Sequence, residues 1–465
     1  MGPSILGGRK GLSVKKDPTP EPDARLALAA QPDEDAMRLH PFYRGKIETG
    51  LRCCVRDFED FAIWYSPGVA APCRAIAAEP EKVYDYTRKW NTVAVVSDGT
   101  RVLGLGDIGP KAALPVMEGK ALLFKYLGGV DAFPLTLDTK DTERIIETVL
   151  LLQPAFGGIN LEDIAQPKCF QVLDALRERA EIPVWHDDQQ GTATVILAGL
   201  INALKVVGKR IGEVDIAFVG AGASNTSAAR LIIARGADPA RCRLVDSRGL
   251  LGPWRDDVRA DRQRFAAKWR FCETTNAEGR RGGIEEALRG ADVVIAASKP
   301  GPGVIRPEWV RSMKERAIVF ACSNPVPEIW PWEAEQAGAA IVATGRSDFP
   351  NQVNNSLCFP GLFRGALDAR ARTITDGMCF AAAEAIADRV GPALSASCIV
   401  PKMDDPEVFV EEAAAVGIRA QEERVGPTSL TRHQFRDNAR RMILRAREMA
   451  AANQRAGFVE LPPPA

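Results

Sequence analysis

The sequence predicts an α/β chain of two domains, the second a doubly wound parallel sheet. Three observations carry this. Segments with apolar residues at helical spacing alternate with short apolar runs through most of the chain, the pattern of strands joined by helices. One apolar run ends in a glycine turn that opens the next helix. A length of 465 residues also exceeds what one core of ordinary size organises.

Residues 1–35 are rich in Pro, Asp, Lys and Gly without apolar periodicity and read as a flexible tail. VAVVSDGTRVLGLG reads as two strands joined by an Asp98-Gly99 turn, a hairpin. KAALPVMEGKALLFKYLGG and DTERIIETVLLLQPAF have helical spacing, and the short strand GGINLED follows. IPVWHDD is a strand, and GTATVILAGLINALKVVG is a long apolar helix that suits a connection between domains, so the boundary falls around Gly191. From Asp215 the pattern is regular: DIAFVGAG as strand and turn, SAARLIIARG as helix, then RCRLVDSRG, ADVVIAAS and AIVFACSNP as strands of a parallel sheet. The expected division is a tail over 1–35, a first domain over 36–190, a second over 191–425, and a helical extension and tail over 426–465.

Composition removes several function classes. Sixty basic and sixty acidic residues leave no net charge, and no basic stripe follows a phosphate backbone, so nucleic acid is not an expected partner. The first residues lack an apolar signal-peptide core, and no unbroken apolar run reaches the roughly eighteen residues of a membrane span. Ten scattered cysteines without a C-x-x-C pair suggest reduced thiols. A soluble cytoplasmic protein is therefore expected. With only His40, His186 and His433 available, oxygen atoms are the natural ligands for any metal.

IAFVGAGASNTSAARLI places Gly220, Gly222 and Asn225 where a dinucleotide fingerprint has three glycines. The first glycine permits the tight turn, and the second lets backbone approach a pyrophosphate. The helix start, with Ala223 and Ser224, offers free amides and the positive end of a dipole. Asp246 ends the next strand, where a carboxylate can accept from an adenosine ribose, while Arg248 could pair with the extra phosphate of NADP. NAD and NADP both stay open. A second glycine series, Gly104, Gly106 and Gly109, has the spacing but lacks a following strand with an acidic end.

Two acidic doublets follow short apolar strands: Glu162 with Asp163, and Asp187 with Asp188. Side chains at the carboxyl ends of parallel strands face the ligand crevice, so the doublets could converge on Mg2+ or Mn2+. Each could equally cap the helix that follows it.

YSPGVAAPC, SDGTRVLGLGDIGP, PVMEGKALLFK, FGGINLEDI, HDDQQGTATVILAGLINALK, VGAGAS, ACSNPVPEI and GRSDFPNQVNNSLCFPGLFRGALD, in this order, make the chain resemble the malic enzymes in their bacterial short form. The resemblance runs from about Phe42 to Ala415. It implies an N-terminal α/β substrate and metal domain followed by a doubly wound Rossmann-type dinucleotide-binding domain, and oxidative decarboxylation of malate with NAD or NADP and Mg2+ or Mn2+. It also implies roles. Tyr65 matches the proton donor, Lys120 the base, and Asp187 the carboxylate that sets the lysine's protonation. Glu162, Asp163 and Asp188 match metal ligands, Arg101 a substrate arginine, and Asn324 and Asn355 asparagines at the cofactor and substrate pocket. A homodimer or larger homo-oligomer is expected, with neither nucleic acid nor membrane as partner. Gln190 stands where many relatives have histidine, and Asn225 departs from the glycine pattern. The rival readings are a malolactic-type enzyme releasing lactate and a metabolite-binding relative without catalysis.

Overall fold

The computed structural model describes residues 22–462. The expected tail before Pro22 lies outside the described residues, and from Pro22 the backbone is helical, as α1 (Pro22–Tyr43). This helix belongs to a unit that ends at Gly45, and the second unit, Lys46–Leu461, holds both sheets and every candidate site residue.

The first sheet contains β1 (Thr92–Ser97), β2 (Asp131–Thr136), β3 (Gly158–Leu161) and β4 (Val184–His186), all parallel in the order β2-β1-β3-β4. Its crossovers are α2 (Gly109–Gly128), α3 (Thr142–Leu152) and α4 (Lys168–Arg179). α3 starts cleanly because Asp141 accepts from the Arg144 amide, an N-cap, and its buried stripe is Ile145, Ile146 and Val149. α2 stops at Gly129, whose φ of 64° ends the helix in the left-handed conformation that glycine adopts freely.

The hairpin expected at Asp98-Gly99 does not form. β2 and β3 occupy both edges of β1 in parallel register, which leaves no edge for an antiparallel partner. The Gly99 carbonyl instead accepts from the Ile108 and Gly109 amides, and Val102 to Gly106 closes on itself through one bridge.

A bent turn at Asp187–Gly191 leads into α5 (Thr192–Val207) and then the second sheet. That sheet comprises β5 (Ile216–Val219), β6 (Cys242–Asp246), β7 (Gly249–Leu250), β8 (Val293–Ala296), β9 (Ala317–Ala321) and β10 (Ala339–Thr344), in the order β10-β9-β8-β5-β6-β7. All pairs are parallel except β6 with β7. The chain leaves β5 for β6 on one side and returns to β8 on the other, so a crevice opens at the carboxyl ends of β5 and β8. α6 (Ala223–Ala234) begins there.

With the turn before it, α5 is long and apolar enough to cross a membrane by length and composition, and most of it is buried inside the protein. Val195, Ile196, Leu197 and Leu200 lie in one continuous core with Val93 and Val95 of β1 and with Phe218 and Ile295 of the second sheet. Each such side chain contributes about 1.5–3 kcal/mol by leaving water, so the two sheets are held by a common interior. α7 (Phe359–Asp368), α8 (Asp376–Arg389), α9 (Pro406–Glu422) and α10 (Arg432–Arg455) complete the unit. The fully buried Arg364 of α7 bonds Asn91 and Asp368, which fixes this helix next to β1.

Candidate active site

Parallel register sets Leu161 of β3 beside His186 of β4, so the residues that follow them, Glu162 and Asp187, leave neighbouring strands at the same level. Side chains two apart in a strand share a face. Asn160 therefore stands under Glu162 and donates to its Oε2 at 2.8 Å, and Trp185 stands under Asp187 and donates from its indole to Oδ1 at 3.0 Å. Neither supporting residue was picked out from the sequence, although the alternation that places them is visible there.

Lys120, buried on α2, reaches both strand ends: its Nζ lies 2.7 Å from Asp187 Oδ2 and 3.1 Å from Glu162 Oε1. The Phe359 ring of α7 closes the other side, 4.5 Å from Nζ. Burial alone would lower the lysine, but Asp187 and Glu162 outweigh it and hold the ammonium protonated.

Asp163 takes a left-handed conformation, φ 55°, that turns the chain back toward the second doublet. Its amide donates to Asp188 Oδ2 at 2.8 Å, and its carbonyl accepts from the Arg101 amide at 2.9 Å. Neither doublet caps a helix: α4 begins after Pro167 and α5 after Gly191, each without a side-chain cap. Carboxylate oxygens of Glu162, Asp163 and Asp188 lie within 4.8 Å of one another. Burial, then the repulsion of Asp188, raises Asp163 to about 8, while burial lifts Glu162 and Asp188 as well. Asp163 Oδ2 is buried with no hydrogen-bond partner. Three crowded oxygen donors, one of them orphaned, fit a hard divalent cation. Asp187 is not one of this trio: its two oxygens meet Lys120 and the Trp185 indole.

Arg101 is exposed, yet its charge lowers both Asp163 and Asp188, so it stands beside the acids. Asn355 adjoins Gly191: a Cβ on Gly191 would lie 1.9 Å from Asp187 Oδ1 and 3.3 Å from the Asn355 Cβ. Gln190 has a local task, its Oε1 accepting from the His186 amide at 3.0 Å. Tyr65 is not brought to this group. It is 73% exposed, just past a short helix, Asp60–Trp64, and no contact joins it to Lys120 or the acids among the described residues.

In the second sheet Gly220, φ 96°, makes the tight turn, and a Cβ there would meet the Ala297 carbonyl at 2.7 Å. Gly222 caps α6 with open space around it, and Ala223 and Ser224 form the first turn. Asn225 does the work of the missing third glycine differently: its buried amide donates to the Val219, Gly220 and Ile295 carbonyls at 2.7, 3.0 and 3.2 Å, stitching β5 to β8. Asn324 lies between Gly104 and Gly345, both of which a side chain would drive into it.

Asp246 ends β6 but is not free. Arg255 binds it with two N–H groups at 2.9 Å each, Lys268 approaches at 3.1 Å, and the Arg248 amide donates at 2.9 Å. Four donors occupy the lone pairs that a ribose was expected to engage. Arg255 and Lys268, nine and twenty-two residues further on, were not foreseen. Arg248 itself is 71% exposed and pairs with Asp257 at 3.2 Å.

A glycine-turned parallel sheet beside a strand-end group of one lysine and four acids defines a dinucleotide-linked oxidoreductase. Comparisons name the family. Residues 44–177 match the model of the malic enzyme N-terminal domain, and 189–420 that of the malic enzyme NAD binding domain. The chain is 46% identical over 413 residues to the bifunctional malic/malolactic enzyme of Bacillus subtilis (strain 168), covering 88% of this chain and 98% of that protein. It is 48% identical to the NAD-dependent malic enzyme of Geobacillus stearothermophilus, over 80% of this chain and 76% of the relative. The solved structure of Entamoeba histolytica malic enzyme superposes with a TM-score of 0.92 at 48% identity, covering 96% of this chain and 93% of that one. The chain belongs to the malic enzyme family.

Proposed function

We propose that this chain converts malate to pyruvate and CO2 while reducing NAD or NADP, and that it also decarboxylates oxaloacetate. One observation carries the proposal: Lys120 bridges Asp187 and Glu162 beside the trio Glu162, Asp163 and Asp188. Glu162, Asp163 and Asp188 would hold Mg2+ or Mn2+, which when bound polarises the C2 oxygen of malate and offsets the carboxylate charge around Lys120.

The chain's own groups then have defined tasks. Lys120 accepts the C2 hydroxyl proton as hydride leaves C2 for the nicotinamide. Asp187, fixed by Trp185, keeps the lysine aimed at that oxygen. Arg101 and Asn355 hold the malate carboxylates, and Asn324 lies between substrate and dinucleotide. Gly220, Gly222, Ala223 and Ser224 present backbone to the pyrophosphate. Loss of CO2 from the resulting β-keto acid leaves an enolate whose oxygen takes the proton held by Lys120. Lys120 takes that proton back as Tyr65, which has to come to the site from its exposed segment, protonates C3.

Tyr65 stands on a stretch that exposes Leu51, Phe58, Ile63 and Trp64, and between Lys46 and Arg88 only Asp60 is buried. An apolar surface of this size supports a homodimer or larger homo-oligomer that covers it. Ten free cysteines support a reducing, cytoplasmic setting.

The name of the Bacillus subtilis relative favours one second reading, a malolactic reaction. Incubation of purified protein with malate, Mn2+ and each dinucleotide separates the two. Equal yields of pyruvate and reduced dinucleotide support the proposal, and lactate without net reduction contradicts it.

A further inference from the structure

Glu412 is a buried acid that the scheme above leaves without a task. It lies on α9 with no exposed surface, and neither oxygen meets the geometry of a hydrogen bond. The polar group that faces it is the Cys358 thiol, which precedes α7. Its contact with α7 is close: a Cβ on Gly361, in the first turn, would stand 2.1 Å from Glu412 Oε2. That same turn carries Phe359 against Lys120, and the segment leading into it carries Asn355 against Gly191, the residue whose Cα also adjoins Asp187.

We propose that Glu412 is a positioning residue for the Lys120–Asp187 pair, acting through Cys358 and the first turn of α7. The inference rests on Lys120 being the base. A buried carboxylate without a cation or an N–H donor is costly, so the protonated form is the one carried in this place. Burial raises its pKa well above the carboxylate range, opposed by Cys358 and reinforced by Asp187. The titratable groups around it are Cys358, Asp187 and, from α8, Cys379 next to Cys358, and no charged group of α2 or α10 pairs with it among the described residues. Neutral, Glu412 fills the space behind the α7 turn without adding charge near Asp187. Ionised, it would set an uncompensated charge against the first turn of α7 and loosen that turn.

The test compares wild type, Glu412→Gln and Glu412→Ala by kcat/KM for malate against pH and by Tm at about pH 6 and about pH 8.5. Glu412→Gln, of the same shape and always neutral, is expected to retain activity near neutrality within about twofold and to extend the alkaline limb by about one pH unit. Glu412→Ala is expected to lower kcat about tenfold, by loosening the turn, without changing the dinucleotide KM. An acid whose pKa is raised on folding loses stability as pH rises from its unfolded to its folded value. Glu412→Gln should therefore exceed wild type in Tm at the higher pH, with the gap closing at the lower. An alkaline limb and a Tm gap that do not respond to Glu412→Gln would overturn the proposal. If Glu412→Ala does not fold, the Gln variant decides alone. If wild type turns over no malate, the functional reading has failed. Backbone hydrogen exchange of the Phe359–Gly361 turn at about pH 6 and about pH 8.5, read by mass spectrometry, then replaces turnover: an alkaline rise in exchange that Glu412→Gln lacks supports the inference, and no difference contradicts it.

Discussion

The ammonium of Lys120 lies 2.7 Å from Asp187 Oδ2, and the other oxygen of Asp187 accepts the Trp185 indole N–H at 3.0 Å. Both ends of this carboxylate are thereby fixed, and the lysine is aimed from the buried face of α2 at the place where the acid trio gathers. Lys120→Ala is expected to lower kcat by about a hundredfold or more, the usual scale of a positioned base, and to lower Tm as well, because Asp187 and Glu162 are left buried without their cation. Trp185→Phe removes one hydrogen bond and keeps the ring, so a several-fold loss in kcat with little change in malate KM is expected in steady-state kinetics.

Metal affinity should depend on pH in a defined sense. Burial and Asp188 raise Asp163 to about 8 in the protein without metal. Protons therefore compete for this ligand below that value, and Mn2+ affinity measured by calorimetry should rise between about pH 6 and about pH 8. The same shift predicts that metal-free protein loses stability as pH rises through this range, because the folded state holds the proton more tightly than the unfolded one. Added Mn2+ should reverse that loss in thermal unfolding.

Asn225→Gly restores the glycine fingerprint, yet it deletes the side-chain amide whose two hydrogens are shared among the Val219, Gly220 and Ile295 carbonyls. A loss of about 1–3 kcal/mol in denaturant unfolding is expected, from carbonyls left unmet and glycine's backbone entropy. Dinucleotide affinity should change less than stability.

Asp246 is bound by Arg255 and Lys268, which leaves Arg248 as the exposed cation beside it. Arg248→Ala is expected to reduce turnover with NADP more than with NAD. Arg255→Ala breaks the two-bond clamp on Asp246 and is expected to cost about 2 kcal/mol of stability, read by denaturant titration.

Much of this architecture is legible in the sequence because it is written in local period. β5, β6, β8 and β9 are short apolar runs that the sequence marks as strands, and the glycine turn announces the helix that follows it, whereas the two-residue β7 and the short helices around it carry no such pattern. The Asp98-Gly99 hairpin was misread because turn residues report only local bending, whereas the partners of β1 come from strands that begin at Asp131 and Gly158. The candidate site divides in the same way. Glu162 and Asp187 could be found as strand-end acids, and Asn160 and Trp185 are within reach of a two-residue period. The clamp of Arg255 on Asp246 depends on a loop returning to a strand end, and Glu412 on two helices packing, so no local pattern carries either. The exposed position of Tyr65 is likewise a tertiary fact.

The central claim is that the four acids divide, Glu162, Asp163 and Asp188 for the cation and Asp187 for the lysine. Mn2+ binding by electron paramagnetic resonance, paired with kcat, tests it in Asp187→Asn and Asp188→Asn. Asp188→Asn is expected to weaken Mn2+ by at least about tenfold, while Asp187→Asn keeps Mn2+ binding and loses about a hundredfold in kcat. A large loss of Mn2+ affinity in Asp187→Asn with turnover intact at saturating metal would contradict the assignment.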